Sequence, residues 1–204
     1  MKDKARILFI GDSITEWGRN EDPEGIGIGY VRIIHDYLLT AFPSKELEII
    51  NKGIGGNRAT DLQDRWEKDV LDLHPDYVSV SIGINDVWRQ LDNPDMVQVY
   101  PEQFEEILAG LLEKTNAQLI LMEPTIIEED IHSEGNQKLI PYVEIVRKLA
   151  KNFDAILVPT HQDFIDYLKT GATYKLTTDG VHMNSAGNML MAKSWLEASK
   201  SLLN

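Results

Sequence analysis

The chain has no cysteine, which excludes disulfide frameworks, thiolate metal sites and cysteine nucleophiles. Basic residues are scarce beside acidic ones: 20 Lys and Arg against 33 Asp and Glu give a formal charge of −13. A surface that acidic repels nucleic acid and anionic lipid, so neither nucleic acid nor membrane is expected as a partner. A small neutral substrate is compatible with it. The N-terminal segment offers only the short apolar burst Ile7-Leu8-Phe9-Ile10, too brief for a secretory hydrophobic region or a membrane span. A cytoplasmic protein is therefore the expectation. No two histidines stand at H-x-x-x-H spacing, so no metal is expected. A Gly-x-Ser-x-Gly elbow is absent too, which sets aside the α/β-hydrolase arrangement built on that turn.

What is present suits one domain spanning residues 1–204, a length that can bury a sizeable core. Apolar bursts at Arg6–Ile10, Leu47–Ile50, Tyr77–Ile82, Leu119–Met122 and Ala155–Val158 read as five buried strands. Between them lie amphipathic segments. Phe104, Ile107, Leu108, Leu111 and Leu112 form an i, i+3, i+4, i+7, i+8 stripe on one helix face, with Pro101 at a tolerated first-turn position. Further helices are expected at Tyr30–Ala41 (stopped by Pro43), near Thr60–Leu71, at Leu139–Lys151 and at Ser185–Leu203. Alternating strand and helix implies a parallel sheet with helices on both faces. Ligands of such sheets sit beyond the carboxyl ends of the strands, where strand order reverses.

Three blocks occupy those places, and a fourth sits in a loop that could cross the same edge. Gly11-Asp12-Ser13-Ile14-Thr15 follows the first strand, Asn51 to Asn57 the second, and Gly83-Ile84-Asn85-Asp86 the third. Asp179-Gly180-Val181-His182 precedes the last helix. Together they supply each part of acyl transfer. A serine hydroxyl needs a base to take its proton, and neutral imidazole does this near pH 7. His182 can be that base for Ser13, with Asp179 on its other ring nitrogen to fix the tautomer and stabilise imidazolium. Attack on an ester carbonyl places charge on its oxygen, and one missing donor there costs roughly 10²–10³ in rate. Gly56 offers an N–H unobstructed by a Cβ, Asn85 a side-chain amide, and Ser13 its own N–H.

In order and spacing these blocks resemble those of the SGNH (GDSL-type) hydrolases. The resemblance spans residues 11 to 182 and implies a flavodoxin-like three-layer α/β/α sandwich with a five-stranded parallel sheet. It also implies a Ser13-His182-Asp179 triad, an oxyanion hole of Ser13, Gly56 and Asn85, and no metal or organic cofactor. Ile14-Thr15 stands where the family nickname expects leucine, and Asn57 where some members carry Asp. Longer stretches, Gly27 to Val31, Asn51 to Asn57 and Gly83 to Gln90, resemble the intracellular acetylxylan esterase branch. That implies acetylated sugars or other short-chain esters as substrates. Related enzymes include oligomers, so a homo-oligomer is compatible. Rival readings are a lysophospholipase or thioesterase of the same mechanism, and a catalytically silent sugar-binding domain.

Other residues have plainer readings. Asp12 is expected to bond loop amides, Asp86 to support its loop, and Asn184 to cap the last helix. Gly53 and Gly55 are expected at positive φ in a turn. His35, His74, His132 and His161 read as structural or surface groups. Trp17 and Trp88 each follow a catalytic block, where an aromatic face can pack on a sugar ring or on a loop. Trp66 and Trp195 fall on helices as core or interface residues, and Glu128-Glu129-Asp130 reads as a solvated loop.

Overall fold

A computed structural model describes residues 1–203. Five strands form one sheet: β1 (Arg6–Gly11), β2 (Glu48–Gly53), β3 (Tyr77–Ser81), β4 (Gln118–Met122) and β5 (Ile156–Val158). Their order is β2-β1-β3-β4-β5, and every pairing is parallel. This is the flavodoxin-like order, whose switch point lies between β1 and β3. The expected α/β architecture is present. Gly11 stands in register with Gly53 on one side and Ser81 on the other. The loops after β1, β2 and β3 therefore leave the sheet at one level.

The helices are α1 (Ser13–Glu16), α2 (Tyr30–Ala41), α3 (Ala59–Asp69), α4 (Ile84–Asp92), α5 (Pro101–Glu113), α6 (Glu134–Asn152), α7 (Thr160–Lys169), α8 (Ser185–Ala198) and α9 (Lys200–Leu203). α8 packs against α2 and α7 in one layer, while α5 packs against α3 and α6 in the other. The five-residue apolar stripe of α5 is wholly buried, and each such side chain contributes about 1.5–3 kcal/mol. Trp66 and Trp195 lie in the core, their indole N–H groups donating to Thr115 Oγ1 (3.1 Å) and Ser79 Oγ (3.0 Å).

Several boundaries depart from expectation, among them β2, which runs three residues past Ile50 and takes in the start of the second block. α6 begins five residues before Leu139, because Ser133 caps it through Asn136 N–H (3.2 Å) and Pro141 is accommodated inside it. The last helix is interrupted at Ser199, which separates α8 from α9. α4 starts within the third block, with Gly83 at φ +119° as its N-cap. Among the described residues no helix is long and apolar enough to cross a membrane.

Candidate active site

Gly11 ends β1 where a Cβ would lie 2.3 Å from Ser81 O and 2.5 Å from Thr15 Oγ1. Only glycine lets the chain turn there. Asp12 then caps the one-turn helix α1 by accepting from Ile14 N–H (2.9 Å), which leaves Ser13 at its first position. Asp12 is buried, and that burial pushes its carboxyl up to about 7 against the opposing pull of Ile14 N–H, His182 and Arg65.

Ser13 Oγ lies 2.8 Å from His182 Nε2, and His182 Nδ1 lies 2.7 Å from Asp179 Oδ2. The other Asp179 oxygen accepts from the backbone N–H of Val181 (3.0 Å) and His182 (2.8 Å). With Nδ1–H donating to the carboxylate, Nε2 is left as the acceptor that faces the Ser13 hydroxyl. Partial burial raises the Asp179 carboxyl, but the bonds from the His182 backbone and ring and from Val181 outweigh it and hold it below the ordinary value. The Asp179 side chain is 48% exposed and that of His182 18%. Trp17 stacks on the imidazole with ring centroids 5.2 Å apart, and Trp88 meets it edge-on at 5.9 Å. Both indoles wall the imidazole.

The loop after β2 runs beside the nucleophile, since a Cβ on Gly55 would lie 3.9 Å from Ser13 Cβ. Gly56 has φ +78° and open space where a Cβ would be, so glycine is required there by conformation rather than by clearance. The expectation of positive φ at Gly53 and Gly55 is corrected: neither adopts it. Gly53 is needed because a Cβ would lie 2.2 Å from Glu16 N. Asn85, 1% exposed in the first turn of α4, gives one amide hydrogen to Asn57 O (3.0 Å). Asp86 accepts from Ala59 N–H (3.0 Å), and burial pushes it up to about 7.

Sequence reasoning overlooked three groups that hold these loops. Arg65 donates to Gly11 O (2.9 Å), Lys52 O (2.8 Å), Asn57 Oδ1 (2.7 Å) and Asp69 Oδ2 (3.0 Å). One guanidinium thus joins the ends of β1 and β2 to the residue that orients Asn85. Asn51 donates to Thr15 O (2.7 Å) and Ile26 O (2.8 Å); a polar residue closing a buried strand was the available signal. Within the run read as a solvated loop, Glu128 and Asp130 are exposed, but Glu129 departs from that reading, because its carboxylate receives Leu176 N–H, Thr177 N–H and the Thr177 hydroxyl. Asn184 caps α8 through Ala186 and Gly187 N–H. His161 is buried against the Thr125 carbonyl, away from the triad. Among the described residues no group of three or more His, Asp or Glu is placed to hold a metal ion. Clefts of about 450 and 430 Å³ lie elsewhere, along α3 and along α2 and α8, and neither is lined by the four blocks.

Residues 9–190 match the model of the GDSL-like lipase/acylhydrolase family. An acetylxylan esterase from Geobacillus stearothermophilus is 39% identical, over 94% of this chain and 92% of that protein. The crystal structure of a catalytic mutant of that organism's acetylxylan esterase Axe2 superposes with a TM-score of 0.91 at 36% identity, covering 97% of this chain and 95% of the other. LAE5, described as an alpha/beta hydrolase enzyme from the metagenome of Lake Arreo in Spain, gives 0.91 at 34% identity, covering 100% and 98%. With the family model covering both the Ser13 and the His182 blocks, this chain belongs to the GDSL-like lipase/acylhydrolase family and is a carboxylic ester hydrolase.

Proposed function

We propose that residues 1–204 form one SGNH hydrolase domain that removes acetyl groups from sugar hydroxyls through a serine-bound intermediate. The observation that carries the reading is the unbroken line from Ser13 Oγ through His182 to Asp179, at 2.8 and 2.7 Å. Ser13 Oγ attacks the acetyl carbon as His182 Nε2 takes its proton. The carbonyl oxygen gains the negative charge and is received by N–H groups of Ser13, Gly56 and Asn85. The tetrahedral species collapses as the C–O bond to the sugar breaks, and His182 returns the proton to the leaving oxygen. Water then enters by the same steps in reverse and releases acetate, restoring Ser13. Each proton begins and ends on a group already in place, so the sequence runs without a cofactor.

The relative's description as an acetyl-xylooligosaccharide esterase supports acetylated sugars as the substrate class. Structures of that relative include catalytic mutants at one serine, one aspartate and one histidine, which supports the three roles. Trp17 and Trp88 keep part of their surface free beside the base, where a sugar ring can pack. Rates on a panel of acetylated xylo-oligosaccharides, other acetylated sugars and acyl esters of increasing length test the reading. Acetyl sugars are expected to give the highest kcat/KM, with no loss on adding chelator. A long-chain optimum would make the enzyme a lipid or thioester hydrolase instead.

A further inference from the structure

The acid–base end of the site is carried by a small hairpin. Thr177 bridges Met183 in antiparallel fashion, Thr178 N–H donates to His182 O (2.8 Å), and Asn184 N–H donates to Leu176 O (2.9 Å). Asp179 and His182 both lie within it. These bonds shape the hairpin. On its C-terminal side α8 holds it, with Asn188 donating to Met183 O (3.1 Å). On its other side the attachment comes from the segment after β4. One oxygen of Glu129 accepts from Leu176 N–H (3.0 Å), Thr177 N–H (2.8 Å) and the Thr177 hydroxyl. Leu176 and Thr177 are buried, so a displaced carboxylate would leave these donors without ready access to water. A second tie runs to the hairpin tip, where Glu128 N–H donates to Gly180 O (2.7 Å).

That segment is itself anchored. Asn136 accepts from Ile127 N–H (2.9 Å) and donates to Glu128 O (3.1 Å) and Asp130 O (2.7 Å), while Ser133 Oγ donates to Ile127 O (2.7 Å). Glu128 is held at φ +67°, opposite Gly180 at φ +92°. A rigid post therefore stands behind the hairpin. Glu129 has no bond to Ser13, Asp179 or the His182 ring. We infer that Glu129 is a positioning residue, whose grip on Leu176–Thr177 sets the separation of the His182 imidazole from the Ser13 hydroxyl. The inference rests on the Ser13–His182 reading proposed above. It extends that reading to a residue outside the four blocks.

Mislocating a catalytic group by about 1 Å can cost on the order of 10²-fold in rate. The test is a double-mutant cycle on 4-nitrophenyl acetate with Glu129→Ala, His182→Ala and both together, each checked for folding by thermal melting. Glu129→Ala is expected to lower kcat by about 10–100-fold with KM nearly unchanged. On the His182→Ala background it should cost nothing further, because the group it positions is gone. Should Glu129→Ala not fold, Glu129→Gln, which weakens the acceptor without emptying the site, runs the same cycle. An equal loss on both backgrounds, or native kcat in the folded variant, overturns the inference. Undiminished turnover in His182→Ala alone would overturn the histidine base itself, and the inference with it.

Discussion

Ser13 and His182 meet at one hydrogen bond but are held by different kinds of structure. The serine side rests on the sheet. Arg65, Asn51, Asp12 and Asp86 lie under it: Arg65 bonds the ends of β1 and β2, Asn51 and Asp12 bond backbone groups of α1, and Asp86 bonds the first residue of α3. Asn85 takes its orientation from the same network through Asn57. The histidine side rests on a hairpin between α7 and α8, and its aspartate is half in water. Preorganised donors must be fixed before charge develops, and in the proposed oxyanion hole Asn85 is held at 1% exposure while Gly56 sits in an exposed loop. A general base that passes a proton twice needs contact with both substrate and incoming water, and the His182 side chain keeps 18% of its surface open beside its half-exposed aspartate.

The contrast can be broken by removing one support from each side. Arg65→Met would leave the carbonyl oxygens of Gly11, Lys52 and Asn57 without their partner and Asp69 with Lys52 alone, and should cost about 3 kcal/mol of stability. Asp179→Asn, on the exposed side, should cost less than about 1 kcal/mol. Chemical denaturation of both variants checks the difference, and similar losses would erase it. Asn85→Ala should lower kcat by about 10²–10³-fold on the serine side. In Asp179→Asn the kcat loss should be nearer about 10²-fold, short of the ~10⁴-fold known for a buried triad aspartate, because water reaches the carboxylate position.

A smaller effect should appear in the pH dependence of stability. Burial holds the Asp12 and Asp86 carboxyls near 7, whereas a free aspartate titrates near about 4. Between those values the folded chain keeps protons that the unfolded chain has released, so their stabilising contribution is complete below the window and lost as pH rises through it. The depressed Asp179 acts in the opposite sense, losing its contribution only on the acid side of the ordinary value. Asp86→Asn removes one of the two raised groups. Its melting temperature should therefore gain on the native protein between pH 4 and 7, and a constant offset would contradict this assignment.

The strands and the four blocks were legible because burial writes apolar bursts and the chemistry requires particular residue types just beyond them. Gly11, Ser13 and Asn85 could be placed at one sheet edge because their blocks follow consecutive strands, whereas His182 entered only through a loop able to cross that edge. Supports that work through long-range hydrogen bonds leave no such mark. Arg65 reads as one more polar residue on an amphipathic helix, yet its partners are up to 54 residues away. Glu129 sits in an acidic run whose plain reading is solvation, and its partners lie 47 and 48 residues on. Gly53 was assigned to glycine's backbone freedom when the reason is the close approach of Glu16 N. The start of α6 was set too late because Glu134 to Lys138 carry no large apolar side chain, whereas Ser133 supplies the cap further upstream.

The account turns on the proton shared by Ser13 and His182. Labelling with a fluorophosphonate, followed by peptide mass spectrometry, examines it most directly, because the reagent reacts with a serine whose proton a base removes. A single adduct on the peptide holding Ser13, strongly slowed in His182→Ala at equal folding, is the expected result. An adduct on a different residue, or labelling of Ser13 at the native rate without the imidazole, would contradict it.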